Sequence, residues 1–337
     1  MIRLDKPGRF GSGFLPMTTD LVAAVDIGGT KVAGALVDGT GDLLHRVQGP
    51  TRARESAESV LRSVTDVVAR LTEHELWPRA AAVGIGSAGP VDARNGTVSP
   101  VNIPAWRDFP LVDGVRKLTG DLPITLVGDG AAIAAGEHWV GAARGRSNAL
   151  CMVVSTGVGG GLILDGRLRP GPTGNAGHIG HISVDFNGDL CPCGGRGCVE
   201  RIASGTNIAR YAQAAGWRPA EPDGDATAAG VAVAAAAGDP IALEAYDRSA
   251  RALAAGIAAT ATLVEIETVV VGGGVSQAGE VLFGPLRRAL RGYATLPYVS
   301  DLEVVPAQLG TDAGLVGAAA ACWSDPDTFL ILGEAGN

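Results

Sequence analysis

Residues 21–37 read LVAAVDIGGTKVAGALV. An apolar run ends in Asp26, the tight sequence Gly28-Gly29-Thr30 follows, and a second apolar run extends from Val32 to Val37, which predicts strand, turn, strand. Glycine lacks a Cβ, so phosphate oxygens can reach the amide N–H groups of such a turn. Thr30 adds a hydroxyl donor, Lys31 a positive charge, and Asp26 a carboxylate suited to holding Mg²⁺ through water. The alternative is an ordinary hairpin turn with a solvated aspartate. A second unit of the same kind bears on that choice. Leu150–Ser155 is an apolar run, Thr156-Gly157-Val158-Gly159-Gly160-Gly161 reads as a turn, and Leu162–Leu164 continues as a strand. A third buried run, Val269–Val271, ends in Gly272-Gly273-Gly274. Two such units predict related α/β halves facing each other across a cleft. Their turns would converge on one polyphosphate, and the third glycine run would make room for a flat base. No GxxxxGK[ST] sequence occurs, so this is not a P-loop.

Composition limits the remaining classes. The 337 residues include 35 acidic and 27 basic side chains, a formal charge of −8. That balance argues against a general nucleic-acid binder. Apolar residues make up 46% and charged residues 18%, which excludes a disordered chain. No run is long and apolar enough for a transmembrane helix, so no membrane association is expected. Residues 1–20 read as a flexible leader without an apolar signal region, and Met17 is an alternative start. The five cysteines (Cys151, Cys191, Cys193, Cys198, Cys322) fit a reducing cytoplasm better than a disulfide scaffold. Three of them cluster at 191–198, which points to a metal.

Helices are expected near 55–76, 131–140, 207–216, 225–237, 240–265 and 279–292. Further strands are expected at 43–48, 81–86 and 124–127. The expected organisation is an N-terminal α/β domain over 21–140, joined by a C-terminal helix at 312–323, and a second α/β domain over 141–311.

In order along the chain stand DIGGTK (26–31), SAGPVD (87–92), NIP (102–104), STGVGGG (155–161), GHIGH (177–181) and CPCGGRGCVE (191–200). This series resembles the ROK family over roughly residues 21–320. The family comprises bacterial sugar kinases, notably glucokinases, and sugar-responsive repressors. The resemblance implies an α/β fold of duplicated actin/hexokinase-type (ribonuclease H-like) ATPase domains around a central cleft. It also implies that Asp129 is the catalytic base, orienting the attacking hydroxyl and accepting its proton. The competing role for Asp129 is to N-cap the following helix.

His181, Cys191, Cys193 and Cys198 supply one imidazole and three thiolates, a closed tetrahedral set suited to structural zinc that would staple the loop 177–200. The spacing matches the family's zinc site; a redox-active or disulfide-prone cluster is the alternative. Asn102 and Glu200 fall where the family contacts sugar, and His181 has a second ring nitrogen to offer it. Each has a plainer alternative, a turn residue or a surface carboxylate. Two positions depart from the family's kinases, which usually carry Glu in place of His178 and Asn in place of Gly128. These changes must alter which sugar hydroxyls are read.

The expected protein is a cytoplasmic ATP-dependent sugar kinase. Mg²⁺–ATP would lie along Gly28, Gly29, Thr30, Thr156, Gly157, Gly159 and Gly160, with its nucleoside near Gly272, Gly273 and Gly274. A hexose would rest on Asn102, Asp129, His178, His181 and Glu200, with its primary hydroxyl, O6, as acceptor. The alternatives are a non-catalytic sugar sensor of the same fold and a kinase for an N-acylated amino sugar such as N-acetylmannosamine. The family's repressors carry a DNA-binding domain ahead of the first glycine turn. Only 25 residues precede Asp26, too few for that domain, so no nucleic acid is expected as partner. The resemblance further implies a homo-oligomer, a dimer or tetramer.

Overall fold

Each glycine turn seeds its own sheet, and the two sheets have the same strand order. The structure, a computed structural model, describes residues 20–221 and 223–323. The expected leader falls outside these residues except for Asp20.

In the first half, β1 (Leu21–Ile27), β2 (Lys31–Val37) and β3 (Leu43–Pro50) form an antiparallel meander. Helix α1 (Ala57–Thr72) follows, then β4 (Ala80–Ser87), a small hairpin of β5 (Val91–Asp92) and β6 (Thr97–Val98), α2 (Leu111–Thr119), β7 (Ile124–Gly128) and α3 (Asp129–Val140). β4 and β7 join β1 in parallel, giving the order β3-β2-β1-β4-β7.

The second half repeats this pattern with β8 (Ala149–Val154), β9 (Val158–Leu164) and β10 (Arg167–Leu168). After a long excursion come α4 (Val199–Ala203), α5 (Gly205–Ala214), α6 (Ala228–Ala236) and α7 (Pro240–Val264). Then follow β11 (Thr268–Gly272), α8 (Glu280–Tyr293), β12 (Glu303–Pro306) and α9 (Ala313–Trp323). The sheet order is β10-β9-β8-β11-β12, with β8, β11 and β12 parallel. The duplication read from the glycine turns is therefore present in the topology.

Local chemistry explains the elements. Helix α1 starts where Ser56 accepts the Ser59 amide, and it buries Val60, Val64, Val67, Val68 and Leu71, spaced three or four apart, against the first sheet. Trp106, fully buried, anchors the loop before α2 by donating its indole N–H to the Ala57 carbonyl at 3.1 Å. Helix α7 is capped by Asp239, which accepts the amides of Ile241 and Ala242. Helices α6 and α7 together are apolar enough for a membrane span in composition, but they are bent by 116° and contribute many buried residues to the core of the second half. Among the described residues, no single helix is long and apolar enough to cross a membrane.

Helix α3 packs on β8 and β9, while α9 packs on β1 and β4, and the two helices cross each other between the sheets. Both helices are rich in alanine and glycine because they cross at nearly backbone contact. A Cβ on Gly136 would stand 3.0 Å from the Gly317 nitrogen, and one on Gly317 would overlap the Ala132 carbonyl. The fully buried Glu137 in α3 accepts the amides of Ala142 (2.8 Å), Gln308 (3.0 Å) and Leu309 (2.9 Å). It thereby ties α3 to the segment that leads into α9.

Two expectations need correction. Sequence reading placed a turn over Thr156–Gly161, but the turn is closed by the Ser155 amide donating to the Gly157 carbonyl at 2.8 Å, and β9 begins at Val158. Gly159, Gly160 and Gly161 are strand residues. A Cβ on Gly161 would stand 2.7 Å from the Gly130 carbonyl, so this glycine lets α3 lie against β9, while one on Gly160 would stand 3.0 Å from the Cys151 carbonyl. Secondly, α2, α4, β5, β6, β10 and β12 had no sequence assignment. They are too short for periodicity to stand out, and α2 alone reaches two turns.

Candidate active site

The cleft between the sheets gathers residues from both halves. Asp26 lies near the end of β1, beside Gly86 of β4. The first glycine turn is closed by the Gly28 amide donating to the Lys31 carbonyl at 3.0 Å. Thr51, just past β3, braces it by donating its hydroxyl to the Gly28 carbonyl at 2.6 Å and its amide to the Thr30 carbonyl at 3.0 Å. Asn102 packs over this turn: a Cβ on Gly29 would stand 2.8 Å from Asn102 Nδ2. The start of α9 closes the other side, since a Cβ on Gly314 would stand 2.6 Å from the Asp26 carboxylate. Burial, with the charge of Asp129 adding to it, pushes the Asp26 carboxyl up to about 6 although Lys31 and Arg46 pull it down.

Asp129 opens α3 at the carboxyl end of β7, where ligands bind in open α/β sheets. The N-cap of α3 is Gly128, and Asp129 is the first helical residue, so its side chain does not fill the capping role. Among the described residues, its Oδ1 accepts only the adjacent Gly130 amide, at 2.7 Å. The side chain opens onto the cleft, yet protein surrounds the carboxyl closely enough that burial raises its pKa. The Gly130 amide and His178 work against that rise, and the Glu200 charge adds to it.

The turn at Ser155–Gly157 has three walls. The Gly205 amide at the start of α5 donates to the Ser155 carbonyl at 2.7 Å, and Thr206 Oγ donates to the Thr156 carbonyl at 3.3 Å. On the second side lies the run after β11: Gly273 has φ 90°, a conformation suited to glycine, and a Cβ there would overlap the Val154 carbonyl. Gly272 ends β11, and a Cβ on Gly274 would stand 3.8 Å from Ser155 Oγ. Glu200, in the first turn of α4, forms the third wall, with Oε2 accepting the Val158 amide at 2.9 Å. Sequence reading missed the α5 start and Ser155. The sequence Ser204-Gly205-Thr206 at a helix N-terminus, which favours anions, was the available signal.

His178 lies against Gly89; its Cε1 and Nε2 are each 3.4 Å from where a Cβ would be. Burial lowers its pKa, with Asp129 and Glu200 pulling the other way. At the other departure, a Cβ on Gly128 would meet only the Gly174 carbonyl, at 3.4 Å. Asn175, also missed from sequence, joins the two halves here. It accepts the Val91 amide at 2.9 Å and donates to the Val91 carbonyl at 2.6 Å.

Ligand atoms of His181, Cys191, Cys193 and Cys198 all lie within 4.8 Å of one another. A tetrahedral zinc with bonds of ~2.0–2.3 Å needs donors roughly 3.3–3.8 Å apart. Cys193 Sγ and Cys198 Sγ are 3.7 Å apart, and Cys191 Sγ lies 3.9 Å from His181 Nδ1. The donor set therefore fits a structural metal, and it leaves His181 Nε2 outside the cluster.

Comparison with known proteins agrees with this arrangement. The profile described as "ROK family" matches residues 22–324. A glucokinase of Thermotoga maritima is 38% identical over 305 residues, covering 88% of this chain and 95% of the relative. An N-acetylmannosamine kinase of Yersinia pseudotuberculosis is 39% identical over 296 residues, covering 88% of this chain and 96% of the relative. The crystal structure of a ROK family glucokinase from Streptomyces griseus in complex with glucose and AMPPNP superposes with a TM-score of 0.76 at 37% identity, covering 89% of this chain and 98% of that one. With its two like-ordered sheets, glycine turns and Cys₃His cluster, the chain is an α/β protein of the actin/hexokinase type and belongs to the ROK family.

Proposed function

We propose that this protein is an ATP-dependent carbohydrate kinase that transfers the γ-phosphoryl group to a hexose hydroxyl, O6 in the glucokinase manner. The observation that carries this reading is the position of Asp129, a carboxylate open to the cleft at the seam between the two glycine turns. The donor's phosphates lie along the turns at 28–30 and 155–157, against the amides of Gly29, Thr30, Thr156 and Gly157, and its base near 272–274. Lys31 and the α5 N-terminus add positive potential. Asp26 would hold Mg²⁺, which on binding neutralises phosphate charge. The hexose rests on Asn102, Glu200, His178 and the free nitrogen of His181. Asp129 orients its hydroxyl and accepts the proton as the oxygen bonds to the γ-phosphorus, whose bond to the β–γ bridging oxygen breaks and releases ADP; the raised pKa of Asp129 makes it a better acceptor than an ordinary carboxylate.

His181, Cys191, Cys193 and Cys198 hold a structural zinc that orders the sugar-binding edge. The chain works in a reducing cytoplasm, in line with its five free cysteines. Exposed Leu263, Tyr293, Leu296 and Tyr298 support a homo-oligomer. A second acceptor class, an N-acylated amino sugar, is favoured by the Yersinia relative.

The test is sugar-dependent ADP release over a panel of hexoses, deoxyhexoses and acetylated amino sugars, with Asp129→Asn as control. Activity on one sugar, abolished in the variant, supports the kinase and names what His178 and Gly128 select. Silence across the panel from folded, zinc-loaded protein would favour a non-catalytic sugar sensor.

A further inference from the structure

Glu200 reaches further than the sugar edge. Its Oε2 accepts the Val158 amide at 2.9 Å, and a Cβ on Gly157 would stand 2.7 Å from the same oxygen. Position 157 thus has a reason to be glycine that does not depend on phosphate: a side chain there would displace this carboxylate. The Glu200 backbone is itself anchored. It sits in the first turn of α4, whose N-cap is the metal-donor candidate Cys198, and its carbonyl accepts Asn207 Nδ2 at 2.8 Å. Asn207 belongs to α5, the helix that supports the same turn from the other side.

We propose that Glu200 is a positioning residue for the phosphoryl donor: its carboxylate fixes the Gly157–Val158 peptide in the conformation that receives the phosphates, so the sugar edge and the donor turn share one side chain. This rests on the reading of 155–157 as a phosphate seat. A charged acceptor on an amide forms a stronger bond than a neutral one; without it the Gly157–Val158 peptide loses its side-chain acceptor, although the Ser155–Gly157 bond and the bonds from Gly205 and Thr206 remain. A sugar hydroxyl bound to the same carboxylate alters its hold on Val158. By linkage, donor affinity then depends on sugar by the same factor as sugar affinity depends on donor.

The test is the affinity of Mg²⁺–AMPPNP, measured calorimetrically on the zinc-loaded protein with and without the sugar that the panel identifies. Glu200→Ala should weaken sugar-free AMPPNP binding roughly tenfold, the loss expected for one charge-assisted bond. Glu200→Gln should recover most of it, because its amide oxygen accepts the same N–H, although sugar binding stays impaired. Gly157→Ala leaves Glu200 in the chain but pushes its carboxylate away; it should lower sugar-free AMPPNP affinity and reduce the effect of sugar upon it. If Glu200→Ala fails to fold, the sugar dependence of AMPPNP affinity in Gly157→Ala decides, because a Cβ at 157 also narrows the phosphate seat and lowers affinity on its own. Unchanged sugar-free affinity in the folded variants, or Glu200→Gln no better than Glu200→Ala, overturns the proposal. Wild-type protein that binds no AMPPNP would overturn the phosphate seat itself, and this inference with it.

Discussion

The two halves share a strand order but build their turns differently. In the first half the carboxylate beside the glycine turn comes from the strand itself: Asp26 lies in β1, and the turn is braced by the nearby Thr51. In the second, the carboxylate arrives from outside the meander, since Glu200 follows the long excursion between β10 and α4. The first turn stands over a core of large aliphatic side chains such as Ile27, Ile85 and Leu126, with the fully buried Trp106. The second also stands over a core, with Val154, Val158, Ile179, Val199 and Ile208, but its carboxylate is carried by the glycine-rich segment that bears the four metal-ligand candidates. A duplicated topology therefore needs only the sheet repeated; the polar groups around each turn can come from different places.

The seam between the halves is where the largest effect is expected. Asp129→Asn should lower kcat by ~10²–10⁴, the usual worth of a general base, with Tm nearly unchanged. Near-normal turnover would place the base elsewhere and remove the seam's special role. Next in size is the metal staple. Cys191→Ser, or a chelator, should lower Tm by roughly 10 °C, because structural zinc sites contribute many kcal/mol to folding. Amide exchange should rise across 177–200 and at the 155–157 turn but not across β1–β3. A uniform rise would contradict the asymmetry between the halves.

Glu137→Ala tests the seam apart from chemistry. It strips an acceptor from three amides, and stability in urea should fall by ~3 kcal/mol or more. A loss below 1 kcal/mol would mean that water replaces the carboxylate.

The smallest effect concerns pH. Asp26 titrates near 6 when folded, against an ordinary 3.8. Between those values the folded chain keeps a proton that the unfolded chain releases, so this group's contribution to stability is present at low pH and is lost as pH rises through about 6. Mg²⁺ needs the ionised form, so Mg²⁺–AMPPNP affinity should fall as pH drops below 6, approaching tenfold per unit relative to Asp26→Asn. Identical pH profiles for the two proteins would remove Asp26 from the metal's coordination.

Much of the fold was legible because the repeated unit is local. A buried run, a glycine turn and a second buried run can be read along the chain, and so can the valine stripe of α1. The Cys₃His donors were also legible, because three of them lie within one short segment. Gly159 and Gly160 were misplaced because glycine has two uses, turning and close packing. Which one applies depends on neighbours brought up by folding, Cys151, Gly177 and Ile179 against Gly160 and the Asp129 carboxylate beyond Gly159. Ser155, Asn175 and Glu137 carried no signal, since each acts on a backbone partner far away in sequence, Gly205, Val91 and Gln308.

Asp129 and Glu200 were singled out through the resemblance to the ROK family, whereas the sequence alone determined the duplicated α/β class, the glycine turns, the clustered metal-donor candidates and Asp26. These depend on side-chain chemistry and short-range spacing, which are written in order along the chain. Only the tertiary structure decided that Asp129 opens a helix without capping it, that Asn102 covers the first turn, and that Glu200 holds the second. Those contacts join segments brought together by the closure of two sheets around α3 and α9, and the burial that raises the Asp129 carboxyl exists only once that closure is made.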